Sequence, residues 1–128
     1  MSRIVAVTKA MFSNPNKISS VINVDSYWFF LYGNKHAWCI QNVGDEGKNR
    51  YRLFFIKVEN EFAVKDLKQF EIVSRQDIDS LVKNGEAIEY DSYEVDSKEI
   101  LYNFGLLYSV VKEKSIGIDK VFDEILEL

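Results

Sequence analysis

Residues 27–32 read Tyr-Trp-Phe-Phe-Leu-Tyr, and this short run constrains the fold more than any other part of the chain. Aromatic side chains favour the pleated surface of a β-strand, where successive residues project to opposite faces. Tyr27, Phe29 and Leu31 then share one face, and Trp28, Phe30 and Tyr32 the other. Both faces are apolar, so either the sheet is sandwiched or one aromatic face stays partly open. Gly33 and Asn34, which both tolerate positive φ, stand before a second run, HAWCIQN. A tight hairpin is expected to join strand 27–32 to strand 36–42. The turn VGDEGKN leads on to a third strand, 50–58, again apolar on both faces: Tyr51, Leu53 and Phe55 against Phe54, Ile56 and Val58.

The flanking patterns are weaker. Ile4, Ala6 and Thr8 alternate with Val5, Val7 and Lys9, which predicts a first strand. In SNPNKISSVINV, Asn14 can cap a short helix, Pro15 suits its first position, and Ile18, Val21 and Ile22 fall on one face. A further strand is expected over 69–73 and a helix over 75–84, with Ser74 as cap, Val73 and Ile78 as a hydrophobic staple and Gly85 as stop. EAIEYD predicts another strand. Two helices close the chain. One starts at Asp96 or Ser97 and runs to Lys114, with Ile100, Leu101, Phe104, Leu107, Tyr108 and Val111 on its apolar face. The other covers 118–127 and aligns Ile118, Val121, Phe122, Ile125 and Leu126.

Strands early and helices late predict the α+β class. The expected architecture is an antiparallel sheet built on a central β-meander, residues 27–58, with helices, including the two C-terminal ones, packed on one face. At 128 residues, 47% of them hydrophobic, the chain suits one globular domain, 1–128, that needs neither disulfide nor metal to hold a core.

Several chemistries find no support. The one cysteine, Cys39, rules out an intrachain disulfide and fits a reducing compartment. The apolar run 4–7 is too short for a signal peptide, and the run 27–32 is far short of a membrane span. A cytoplasmic protein without a membrane partner is the expectation. His36 and Cys39, three apart on a strand, point to opposite faces, and no other His or Cys is present to complete a metal site. Cys39 reads as a buried apolar residue. Asp45-Glu46 reads as an acidic turn. There is no phosphate-binding glycine loop and no nucleophile elbow. No cofactor is implied, and no catalytic residue can be named. The reading leans away from an enzyme, although catalytic groups can also converge only in three dimensions.

Charge is the remaining guide. Residues 1–57 carry eight Lys/Arg against three Asp/Glu, a balance of +5, whereas residues 58–128 carry eight against seventeen, a balance of −9. The last helix places Asp119, Asp123 and Glu127 at i, i+4 and i+8. Each like-charge pair costs about 0.2–0.5 kcal/mol on an isolated helix. Glu124 and Glu127 also stand near the C-terminal end, where the helix dipole disfavours anions. A solvated face is the plain explanation. The sharper one is an acidic ridge, Asp119, Asp123, Glu124 and Glu127, complementary to a protein partner with a basic surface. The expected function is therefore a non-catalytic protein-interaction module, such as an inhibitor or immunity-type protein. The alternative uses Trp28, Tyr32, His36, Arg50 and Arg52 as a contact face on the sheet for nucleic acid or a small ligand. Pairing of Arg50 and Arg52 with the acidic helices would remove it.

Overall fold

The computed structural model describes residues 3–45, 47–57, 74, 77–93 and 98–128, without the side chains of 118–120. Helix α1 (Arg3–Ser13) and a 3₁₀ turn (Pro15–Lys17) precede strands β1 (Ile18–Val24), β2 (Tyr27–Tyr32), β3 (His36–Asn42) and β4 (Tyr51–Ile56). Helix α2 (Ile78–Lys83), strand β5 (Ala87–Asp91) and helices α3 (Lys98–Ile116) and α4 (Ile118–Glu127) follow. The five strands lie side by side in chain order, each antiparallel to the next, which makes the protein α+β with a meander at its centre.

The hairpin between β2 and β3 forms as its residues dictate. Gly33 and Asn34 take φ of 67° and 56°, and the Lys35 N–H donates to the Tyr32 carbonyl. That turn sets the register Phe29↔Cys39 and Leu31↔Ala37. Side-chain parity then carries the two apolar faces of the aromatic run across the whole sheet.

The two long helices α1 and α3 lie on one face. Ile4, Val5 and Met11 of α1 and Ile100, Phe104, Leu107 and Val111 of α3 enclose Phe30, Trp38, Ile40, Tyr51 and Leu53. On the second face Phe29, Leu31, Cys39, Phe54 and Ile56 pack against Ile78 and Leu81 of the short helix α2. The sheet is thus sandwiched, and not every helix stands on one side.

Two expectations at the N-terminus are overturned. Residues 4–9 are helical, because Ile4, Val5, Thr8 and Met11 also recur at helical spacing and α3 provides a surface to receive them. Buried Thr8 satisfies its hydroxyl by donating to the carbonyls of Ile4 and Val5. The short helix expected in SNPNKISSVINV is a 3₁₀ turn followed by β1. Here Ser20, at φ 54°, lies in a bulge where the register with β2 shifts between Ser19 and Ile22. The bulge turns Ile18 and Val21 toward one core and Ile22 toward the other, so their spacing imitates a helix face.

Elsewhere the differences are local. Asp77, rather than Ser74, caps α2, its carboxylate accepting from the Asp79 N–H at 3.1 Å. The expected strand 69–73, the ends of the staple and third strand at Val73 and Val58, and the start of α3 at Asp96 or Ser97 lie outside the described residues.

Candidate functional site

Gly117, at φ 71°, ends α3 and redirects the chain into α4. Helix α4 contacts α3 and leaves residues 121–128 exposed. Val121, Phe122, Ile125 and Leu126 recur at helical spacing as a stripe, and they remain 46%, 53%, 59% and 83% exposed. Asp123, Glu124 and Glu127 occupy the opposite side and are exposed as well. Among the described residues none of these three carboxylates is held in an ion pair. The side chain of Asp119 lies outside the described ones. Over residues 121–128 helix α4 is therefore amphipathic but presents both its faces to solvent.

The sheet residues of the alternative reading are not brought together. Trp28 and Tyr32 are half-buried on the face covered by α1 and α3. The Trp28 ring meets Tyr108 edge-on at 6.4 Å, with Lys112 Nζ 5.9 Å from its centre. The Tyr32 hydroxyl donates to the Ala10 carbonyl at 3.4 Å. Arg52 projects to the other face, where its guanidinium reaches Asp79 of α2 and Glu89 of β5 and donates to Gln41 Oε1 at 3.1 Å. Arg50 donates through Nε to Asp91 at 3.1 Å and stands over the Tyr93 ring, its Cζ 5.0 Å from the centre. His36 is exposed at the hairpin end.

Both arginines are thus engaged by carboxylates from the acidic half of the chain. Two partners, Glu89 and Asp91, lie on a strand rather than a helix. They were legible in part: Ala87, Glu89 and Asp91 share a parity, as do Arg50 and Arg52. The register that pairs β4 with β5 was not legible. Hydrogen bonding from Arg50 holds the Asp91 carboxyl below its usual range, and burial pushes the Cys39 thiol well above its own. The Cys39 side chain is packed beside Phe29 and Phe54. A buried, protonated thiol is a poor nucleophile and a poor metal ligand. Among the described residues no three His, Cys, Asp or Glu side chains converge, and no helix is long and apolar enough to cross a membrane. Asp45 lies in the turn before β4, bridged to Lys48, while Glu46 lies outside the described residues.

No protein-family model, curated protein or solved structure matches the chain.

Proposed function

We propose that the protein is a non-catalytic interaction module that binds a protein partner with a basic surface through α4, as an inhibitor or immunity-type protein does. One observation supports this reading above others: the stripe Val121, Phe122, Ile125 and Leu126 is exposed on a helix whose opposite side is acidic. A helix of 10 residues has little stability of its own. The like charges at Asp123 and Glu127, and the anions near its C-terminal end, lower that stability further. A partner that covers the stripe and supplies Lys or Arg to the ridge removes these costs together. Burial contributes about 25 cal/mol per Å² of apolar surface, and complementary charge speeds the encounter. Action in the cytoplasm belongs to the same reading, supported by a single cysteine that is buried and needs no oxidising compartment.

Affinity capture at low ionic strength, with mass spectrometry and nucleic-acid detection on the eluate, tests the proposal. The Phe122→Ser/Ile125→Ser double variant serves as control, because both positions are exposed and outside either core. A protein of basic surface captured by the unmodified chain and lost from the variant is the expected result. A partner retained equally by both, or an oligonucleotide in place of a protein, overturns it.

A further inference from the structure

Helix α4 contacts α3 and leaves Val121, Phe122, Ile125 and Leu126 exposed, and Ile116, exposed at the end of α3, extends the apolar surface. Residues 118–128 carry Asp119, Asp123, Glu124 and Glu127 against Lys120, a balance of −3. The opposite sign stands at the other end of the chain. Residues 1–24 contain Arg3, Lys9 and Lys17 and no Asp or Glu, a balance of +3. We propose that a second copy of this chain covers α4, the α4 of each copy lying on the α1 of the other in a two-fold dimer. This dimer rests on the reading of α4 as an interaction helix, and it takes the basic surface from the chain itself.

The outer face of α1 suits the contact. Ile4, Val5, Thr8 and Met11 turn into the core. Ala6, Ala10 and Ser13 recur at i, i+4 and i+7 on the opposite, exposed side, with Lys9 at one margin and Val7 at the other. Small side chains leave a shallow surface on which the large side chains of a second helix can lie close to the axis. Arg3, Lys9 and Lys17 are exposed, and among the described residues none of the three is held in an ion pair. The neighbouring helix α3 adds Lys98, Lys112 and Lys114 against Glu99 and Glu113, so it does not reverse the sign.

Size favours exchange in both directions. A helix of 10 residues is about 15 Å long. One such contact falls short of the roughly 800 Å² per partner that stable complexes bury. In a two-fold dimer residue i meets j and j meets i, so the contact is made twice. Once one α4 is seated, the second contact forms within the complex. Pairing of the two α4 stripes with each other would instead bring two balances of −3 together, with no compensating charge.

Sedimentation velocity of the full chain tests this. A dimer is expected at about 100 μM protein and low ionic strength, dissociating as salt rises. Phe122→Ser/Ile125→Ser should weaken it at least about tenfold. Arg3→Glu/Lys9→Glu and Asp123→Lys/Glu127→Lys should each do the same alone. An equimolar mixture of these two charge variants should restore the dimer, because α4 and α1 then carry opposite signs at both contacts. All these positions are exposed, so melting temperature should be unchanged in each variant. A chain that stays monomeric at millimolar concentration overturns the proposal, as does a dimer that neither charge variant weakens, or a mixture that restores nothing. A monomeric chain that captures a foreign basic protein overturns the dimer and upholds α4 as the site for that protein. A dimer that behaves as stated while the capture eluate stays empty upholds the dimer and overturns the foreign partner.

Discussion

Arg52 stands over the ring of Phe54, its guanidinium carbon 4.8 Å from the ring centre. The same guanidinium joins Asp79 of α2, Glu89 of β5 and Gln41 of β3. One side chain of β4 therefore ties the short helix to strands β3 and β5 and covers the edge of the second core. Its donors are spent within the fold. Replacing Arg52 by Ala should lower stability by about 2 kcal/mol, because half-buried Glu89 loses its charged partner while solvent screens the exposed Asp79. Arg52→Lys should recover only part of this, since an ammonium cannot reproduce the fork of contacts. Urea denaturation of the three proteins measures both effects.

Phe29 and Leu31 are fully buried in the core under α2, whereas Trp28 and Tyr32 are half-buried under α1 and α3. Phe29→Ala should cost about 3–5 kcal/mol through lost transfer energy and a cavity. Trp28→Ala should cost less, because the Trp28 ring keeps part of its surface in water beside Lys112. Equal losses for the two in chemical denaturation would contradict the packing described.

Asp91 links stability to acid. Its folded pKa lies below the ordinary value of 3.8, chiefly because Arg50 donates to the carboxylate. A group depressed in this way contributes its full stabilisation above the unfolded pKa and loses it as pH falls through the folded one. Melting temperature should therefore be insensitive to this group near neutrality and decline below the ordinary aspartate range. Asp91→Asn should be less stable at pH 7 and show a shallower acid decline, measured as melting temperature against pH.

Gly44 marks an approach in the β3–β4 connection that no side chain can share. A Cβ there would collide with the Lys48 carbonyl oxygen and come 2.8 Å from Asn49 Cα. Gly44→Ala should destabilise by about 1–3 kcal/mol, as overpacking against backbone does. Urea denaturation beside the unmodified protein measures the loss.

Changing Asp119, Asp123 and Glu127 to Asn or Gln should leave the fold intact, since Asp123 and Glu127 are exposed and the apolar stripe is untouched. Melting temperature should hold or rise slightly as the like-charge pairs disappear. Association with a captured basic partner should slow, and its salt dependence should flatten. Unchanged association rates at two salt concentrations would reduce the ridge to a solvated face.

The meander, the β2–β3 turn, strand β5 and both C-terminal helices were legible because their signals are short-range: alternation, a Gly-Asn turn, and apolar residues at helical spacing. The N-terminal residues were ambiguous for an equally local reason. Ile4, Val5, Thr8 and Met11 fit two periods, and only the surface offered by α3 selects the helix. Ile18, Val21 and Ile22 fit a helix until the bulge at Ser20 sends them to different cores, a choice made by pairing with β2. The pairing of the acidic and basic halves was visible as an imbalance of charge. Its partners were not, because Arg50–Asp91 and Arg52–Asp79 span 41 and 27 residues and depend on strand register and helix placement. The sequence by itself determined the elements from β2 onward that carry short-range signals, and the acidic, amphipathic character of α4. Only the tertiary structure decided that both arginines are occupied and that Trp28 lies under a helix. Backbone periodicity is written over a few neighbouring residues, whereas burial and charge pairing depend on which distant segments come to share a surface.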